Sequence, residues 1–241
     1  MTTLVVGASG ATGRLLVEQL LDRGESVRAI VRSADRLPEA VRGRDGLTVT
    51  EASLLELSDA EMAEQVRGCG AVASCLGHNL NFKGIYGKPR RLVTDAARRL
   101  CEAVKANAPE APVKYVLMNT VANRNRDLDE RIPFADRLVV GILRVVLPPQ
   151  PDNEHAAEYL RTVIGQEDGT IEWAAVRPGS LIDEEEVTEY EVRPALISGP
   201  MSGPEKTSRI NVAAFMAELI TDDETWARWK GQMPVIDNTR R

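Results

Sequence analysis

The chain has 241 residues, with 30 lysines and arginines against 36 aspartates and glutamates, a formal net charge of −6. Hydrophobic residues make up 43 % and charged residues 27 %, a globular balance that excludes wholesale disorder and supports a core without metal or disulfide staples. The acidic balance argues against nucleic acid as the main ligand, because duplex binding calls for a basic face.

From the N-terminus, TLVVG over residues 3–7 reads as a buried strand. GRLLVEQLLDR over 13–23 places Leu15, Leu16 and Leu20 near one face at helical spacing, and Gly24 ends it. Strands follow at 26–31 and 47–50, then a polar helix at 60–67 closed by Gly68, then a fourth strand at 71–75. A long helix over 90–107 carries Leu92, Val93, Ala96, Leu100 and Val104 on one stripe, and further strands are expected at 115–119 and 171–176. Short helices at 211–220 and 225–229 and a last strand at 234–236 complete the chain. Strand and helix in alternation predict an α/β fold: a doubly wound, Rossmann-like parallel sheet with a small C-terminal substrate lobe, one domain over 1–241.

Two stretches interrupt the alternation and are expected on the rim above the sheet. Residues 121–151 hold a charged loop, NRNRDLDER, an apolar segment at 134–147, and then Pro148, Pro149 and Pro151. The apolar segment reads as a core helix, a lid or a partner surface. Residues 180–208 hold an acidic run at 183–186, read as a solvated turn, and a strand-like VTEYEV.

Cys69, Cys75 and Cys101 are odd in number and lack C-x-x-C spacing, which suits free thiols in a reducing cytosol. Met1 leads straight into a strand-like run rather than a signal peptide, and no stretch approaches the ~20 uninterrupted apolar residues of a membrane span. The expectation is a cytoplasmic protein, monomer or homodimer, with a small-molecule substrate and neither membrane nor nucleic acid as partner. Cys75 and His78 make half a metal site at best, so no metal is expected.

The first strand runs into Gly7-Ala-Ser-Gly10-Ala-Thr-Gly13 and then a helix. In such a turn one glycine permits the bend, one lets the backbone approach a pyrophosphate, and one lets helix and strand pack closely. The helix N-terminus then presents unpaired N–H groups to the phosphates. An NAD site places Asp or Glu near the end of the second strand to bond the ribose hydroxyls. Here the chain has Ile30-Val31-Arg32-Ser33, and a guanidinium suits a 2′-phosphate where a carboxylate would repel it. The expected cofactor is NADP.

The opening VVGASGATGRLLVEQLLDRGESVRAIVRSADRLP resembles that of atypical short-chain dehydrogenases/reductases, including NmrA-like regulators and flavin reductase/biliverdin reductase B-type enzymes. The likeness continues in ASCLG, in Asn119-Thr120 and in WAAVRPGSLID. The resemblance implies that Gly7, Ser9, Gly10, Ala11, Thr12 and Gly13 form the phosphate turn and that Arg32 meets the 2′-phosphate. It further implies Ser53 and Leu54 near the adenine, although Ser53 replaces the family's Asp. Leu76 and Gly77 would lie under the cofactor ribose, and Thr120, Pro178 and Gly179 beside the nicotinamide.

Many members of that superfamily use Tyr-x-x-x-Lys, in which an ammonium lowers the tyrosine pKa for proton exchange with substrate. Four residues beyond Tyr86, Tyr115, Tyr159 and Tyr190 stand Arg90, Asn119, Val163 and Pro194, so the dyad is missing. The catalytic candidates are therefore Thr120 and Glu154, the latter standing where relatives place the lysine. Glu154 also reads as an ordinary first-turn acid of a helix over 152–161 with Asp152 as N-cap. His78, Phe82 and Tyr86 are candidate substrate contacts. These readings point to an NADP(H)-dependent oxidoreductase acting on a flavin, quinone or enone. The alternatives are a non-catalytic, NmrA-like redox sensor and, less well supported, an isomerase or epimerase.

Overall fold

The structure, a computed structural model, describes residues 1–78, 87–128, 130, 133–147, 149–196 and 206–239, with the backbone alone at 137, 143 and 145. Nearly continuous apolar runs form the central strands, as a sheet covered on both faces requires. These are β1 (Thr2–Val6), β4 (Ala71–Ser74), β5 (Val113–Met118) and β6 (Ile171–Pro178). On one side the sheet continues through β2 (Ser26–Val31) and β3 (Leu47–Glu51). On the other it ends in β10 (Val235–Asn238) and β8 (Tyr190–Arg193). The order is β3-β2-β1-β4-β5-β6-β10-β8, parallel throughout except for the antiparallel pairing of β10 with β8. The segment expected as a C-terminal lobe thus sends β8 and β10 into the main sheet. Its remainder includes a small parallel pair, β7 (Ser180–Ile182) with β9 (Lys206–Ser208).

One face of the sheet is covered by α2 (Asp59–Val66), α3 (Leu92–Ala106) and α5 (Pro149–Tyr159), around a core of Leu4, Val72, Leu100, Tyr115, Leu117 and Trp173. The opposite face carries α1 (Gly13–Asp22), α6 (Arg209–Thr221) and α7 (Asp223–Trp229). α6 is apolar on nearly every side, and Val212, Phe215, Met216, Leu219 and Ile220 are all buried, as that pattern demands. The strand order reverses between β1 and β4, so the crevice beyond their carboxyl ends is where an open α/β sheet takes its ligand.

Two readings of the rim are corrected. The helix expected from Asp152 begins three residues earlier, at Pro149, because proline is tolerated in a first turn whose N–H groups lack partners anyway. Asp152 is therefore not its N-cap. The apolar stretch forms α4 (Phe134–Val146), packed against α5, but it is not a core helix: Phe134, Leu138 and Ile142 are 81 %, 58 % and 53 % exposed. Among the described residues no helix is long and apolar enough to cross a membrane.

Candidate cofactor and substrate site

The glycine turn is built against the end of β4. Gly7 has φ +77°, and a Cβ on it would stand 2.5 Å from the Cys75 carbonyl oxygen. Only glycine lets β1 turn here and lie against Cys75 and Leu76. A Cβ on Gly13 would stand 2.1 Å from the Gly7 oxygen, so this glycine lets α1 close onto the strand end. Gly10 differs. Its Cβ would meet the Gly7 oxygen at 3.1 Å and Cys75 O at 4.0 Å, and one on Gly77 would meet nothing within 4 Å. Gly10 is exposed despite its closeness to the Gly7 oxygen, and Gly77 borders open space among the described residues.

The helix that starts from this turn is left open to an anion. Thr12, its N-cap, makes no side-chain capping bond, and no acidic residue lies in the first turn. By contrast, α2 is closed by a full capping box, Ser58 with Glu61, and α6 and α7 are capped by Ser208 and Asp222. Exposed Gly10 and Ala11 and half-buried Ser9 flank this bare N-terminus. The donor set and the space beside it fit a pyrophosphate.

At the end of β2, Arg32 is exposed, and among the described residues no carboxylate is bonded to it. The next turn is fixed from β3, where Glu51 accepts a bond from the Ala34 N–H at 2.9 Å. Ser53 is half-buried, and Leu54 is buried in the core under the same edge.

On the far side of the crevice, β5 and β6 end together. Asn119 N–H donates to Val176 O at 2.7 Å and Val121 N–H to Pro178 O at 3.2 Å, which sets Thr120 beside Pro178 and Gly179. The Thr120 hydroxyl oxygen accepts from Ala122 N–H at 3.3 Å, a bond that leaves its proton for an acceptor elsewhere. Gly179 N–H is held by the Thr207 hydroxyl of β9 at 3.2 Å.

Three consecutive residues of α5 stitch this crevice together. Asp152 is buried and caps a helix other than its own: its carboxylate accepts from Val93 N–H, Thr94 N–H and the Thr94 hydroxyl at the start of α3. The same carboxylate lies 2.7 Å from His78 Nε2, and the two side chains are 4 % and 1 % exposed. Burial alone would raise the Asp152 carboxyl, but the bonds from His78, Thr94 and Val93 outweigh it and hold it below the ordinary carboxylate range. His78, expected as a loop residue facing solvent or substrate, is thus an internal ligand of Asp152. Asn153 offers its carbonyl to the Asn119 side chain at 2.9 Å. Glu154 shares the Arg144 Nε–H between its two oxygens, each at 2.9 Å, and accepts from the Gln150 amide at 2.9 Å.

A second buried cluster fixes the rim. Arg177 of the RPG run is fully buried and pairs with buried Glu130 through bonds of 3.0 and 2.7 Å. The guanidinium also reaches the carbonyls of Met233 and Asn123, and Glu130 accepts from Asn125 N–H and Leu196 N–H. The loop after Thr120 and the segment after β8 are therefore clamped to the end of β6. Neither this pair nor the Asp152 hub was singled out from the sequence. A charge at the end of the apolar run IEWAAVRPG was the available signal, because an arginine there needs a buried counter-charge.

None of the described tyrosines replaces the missing dyad. Tyr115 lies in the sheet core, fully buried, and burial pushes its hydroxyl well up. Burial likewise raises Tyr159 to about 12. Tyr190 donates to Glu218 at 2.7 Å on the α6 face. Phe82 and Tyr86, named as substrate contacts, lie outside the described residues. The three cysteines are free thiols; burial lifts Cys75, beside Gly7, to about 12, which makes it a poor nucleophile.

The NAD(P)H-binding family profile matches residues 7–223, which takes in the glycine turn, the Asp152 hub and the RPG run. The chain belongs to the NAD(P)H-binding family. No curated protein matches it. Among solved structures, an oxidoreductase from Lactococcus lactis is 18 % identical with a TM-score of 0.70, over 100 % of this chain and 92 % of that one. A short-chain dehydrogenase/reductase from Veillonella parvula, solved in complex with NADP, is 14 % identical with a TM-score of 0.70, over 98 % and 94 %. An anaerobillin reductase from Escherichia coli O157:H7 is 17 % identical with a TM-score of 0.68, over 100 % and 98 %. At these identities the likeness is one of fold, the Rossmann-like α/β fold.

Proposed function

We propose that this NAD(P)H-binding protein is an NADP(H)-dependent reductase of a small conjugated acceptor such as a flavin, quinone or enone. The observation that carries the reading is the crevice itself: a glycine turn and a bare helix N-terminus on one side, Thr120 with Pro178 and Gly179 on the other. Bound there, the cofactor would supply a hydride. The bare start of α1 would hold the pyrophosphate, and Gly77 would leave room for the ribose. Thr120 would donate its free proton to the carboxamide or to a substrate oxygen, and the Arg177–Glu130 clamp would keep that loop in place. With no Tyr-x-x-x-Lys in the sequence, the acceptor's proton would come from solvent, which suits a flavin or quinone better than a simple ketone. A relative in fold is an anaerobillin reductase and another was solved with NADP, and both support the reading.

NADP rather than NAD is the reading that Arg32 supports, an exposed cation at the end of β2 with no carboxylate bonded to it among the described residues. Loss of its charged bond to a phosphate should cost about 1.5–3 kcal/mol, or about 10- to 100-fold in affinity. Calorimetry on Arg32→Ala should show NADPH weakened by that factor and NADH nearly unchanged. Equal losses for both cofactors would remove Arg32 from the site.

The reaction is tested by NADPH oxidation with a panel of flavins, quinones and enones. Tyr86→Phe, Tyr115→Phe, Tyr159→Phe and Tyr190→Phe should each keep turnover within about tenfold, or about 1.4 kcal/mol of barrier. Thr120→Val should lose more, because it removes a donor where charge shifts during transfer. A folded, NADPH-binding tyrosine variant without activity would refute solvent as the proton source. Tight NADPH binding with no oxidation by any acceptor would favour the redox sensor.

A further inference from the structure

The helix α4 is built inside out. Of its described charged side chains, Asp136 is buried, and Arg144, 46 % exposed, reaches back to Glu154 of α5. Val140 is buried on that same side. Phe134, Leu138, Val139, Ile142 and Val146 are exposed on the opposite side, and Ala135 joins them. Phe134, Leu138, Ile142 and Val146 recur every four residues, a ridge ~18 Å long at the ~1.5 Å rise of a helix. An exposed apolar ridge over polar inward contacts reverses the ordinary surface helix. Gly141 lies at the edge of the ridge, and a Cβ on it would meet nothing within 4 Å among the described residues. A glycine in mid-helix costs about 1 kcal/mol relative to alanine, and none of the described residues packs against this one closely enough to require it.

We infer that this ridge is covered by a second copy of the chain, α4 against α4 about a two-fold axis. Spacing by four is self-complementary when two such helices run antiparallel, since i±4 ridges fit each other's grooves. Phe134 of one copy then lies over Val146 of the other, and Leu138 over Ile142. Gly141 lies beside the axis, where a missing side chain lets the backbones approach. The ridge holds no charge, so two identical faces meet without repulsion despite a net charge of −6 on each chain. A patch of this kind amounts to about 500 Å² per copy, so a pair buries about 1,000 Å² in all, the lower bound of a specific interface. A membrane surface fits less well, because a chain of net charge −6 is repelled by anionic lipid headgroups.

Sedimentation velocity on the full chain tests this. The wild type should show a concentration-dependent dimer at micromolar levels, as so small an interface allows. Leu138→Lys and Ile142→Glu should each raise the dimer Kd at least ~100-fold while NADPH binding and far-UV dichroism stay as in the wild type. Mixed one to one, the two variants should dimerise again, because lysine in one copy then faces glutamate in the other. A wild type that stays monomeric at about 100 µM would overturn the inference, as would variants that associate as tightly as the wild type. Binding of a monomer to phosphatidylcholine vesicles through Ile142 would also overturn it and assign the ridge to a membrane surface.

Discussion

Arg177→Met should lower the free energy of unfolding by about 3–5 kcal/mol, the cost of leaving one partner of a buried ion pair without its counter-charge. Glu130 would keep its bonds from Asn125 N–H and Leu196 N–H, but two backbone donors do not neutralise a carboxylate that is almost wholly buried. For a domain stable by about 5–15 kcal/mol this is a large fraction, and it corresponds to a fall of roughly 6–20 °C in Tm. Adding Glu130→Leu to Arg177→Met should restore part of the loss, because the uncompensated charge is then gone. Recovery should be incomplete, since the carbonyls of Met233 and Asn123 lose their donor in both variants. Urea unfolding followed by circular dichroism measures all of this. A single variant that costs under about 1 kcal/mol would mean that water or rearrangement satisfies Glu130, and that the clamp does not hold the rim.

The same pair shows which parts of this molecule were legible in its sequence. The parallel sheet was, because strands buried on both faces are written as unbroken apolar runs such as TLVV and AVAS, and because the helices between them keep one apolar stripe. The glycine turn between β1 and α1 was, because Gly13 answers a local steric demand against Gly7, six residues earlier. Contacts between distant segments were not. Asp152 stands before a helical run and carries the signature of an N-cap, yet it caps α3, about sixty residues earlier in the chain. Glu130 sits in a stretch of alternating charge that reads as solvated, and only the fold carries it to the end of β6. The charged residues of α4 gave no hint of their direction either. A hydrophobic period fixes that one stripe differs from the rest, not which stripe faces the protein.

Gly13 and Gly10 of the turn should fail in different ways when they acquire side chains. Gly13→Ala places a Cβ 2.1 Å from the Gly7 carbonyl oxygen, a backbone atom held in the turn, so α1 must shift away from β1. Overpacking of this kind costs about 1–3 kcal/mol, and NADPH affinity should fall with it because the helix N-terminus moves. Gly10→Val meets the same oxygen only at 3.1 Å from its Cβ and otherwise points to open space. Its φ is outside the left-handed region, so a side chain brings no backbone strain there. Stability should therefore change by less than about 1 kcal/mol, as at a site away from the core. NADPH binding should nevertheless drop by at least 100-fold, about 2.7 kcal/mol, because the branched side chain stands where the pyrophosphate must approach the backbone. Thermal unfolding and calorimetry on both variants separate the two roles. If folded Gly10→Val binds NADPH like the wild type, the turn serves only the packing of α1 on β1. If Gly13→Ala is as stable as Gly10→Val, the close approach of helix and strand is not what this glycine is for.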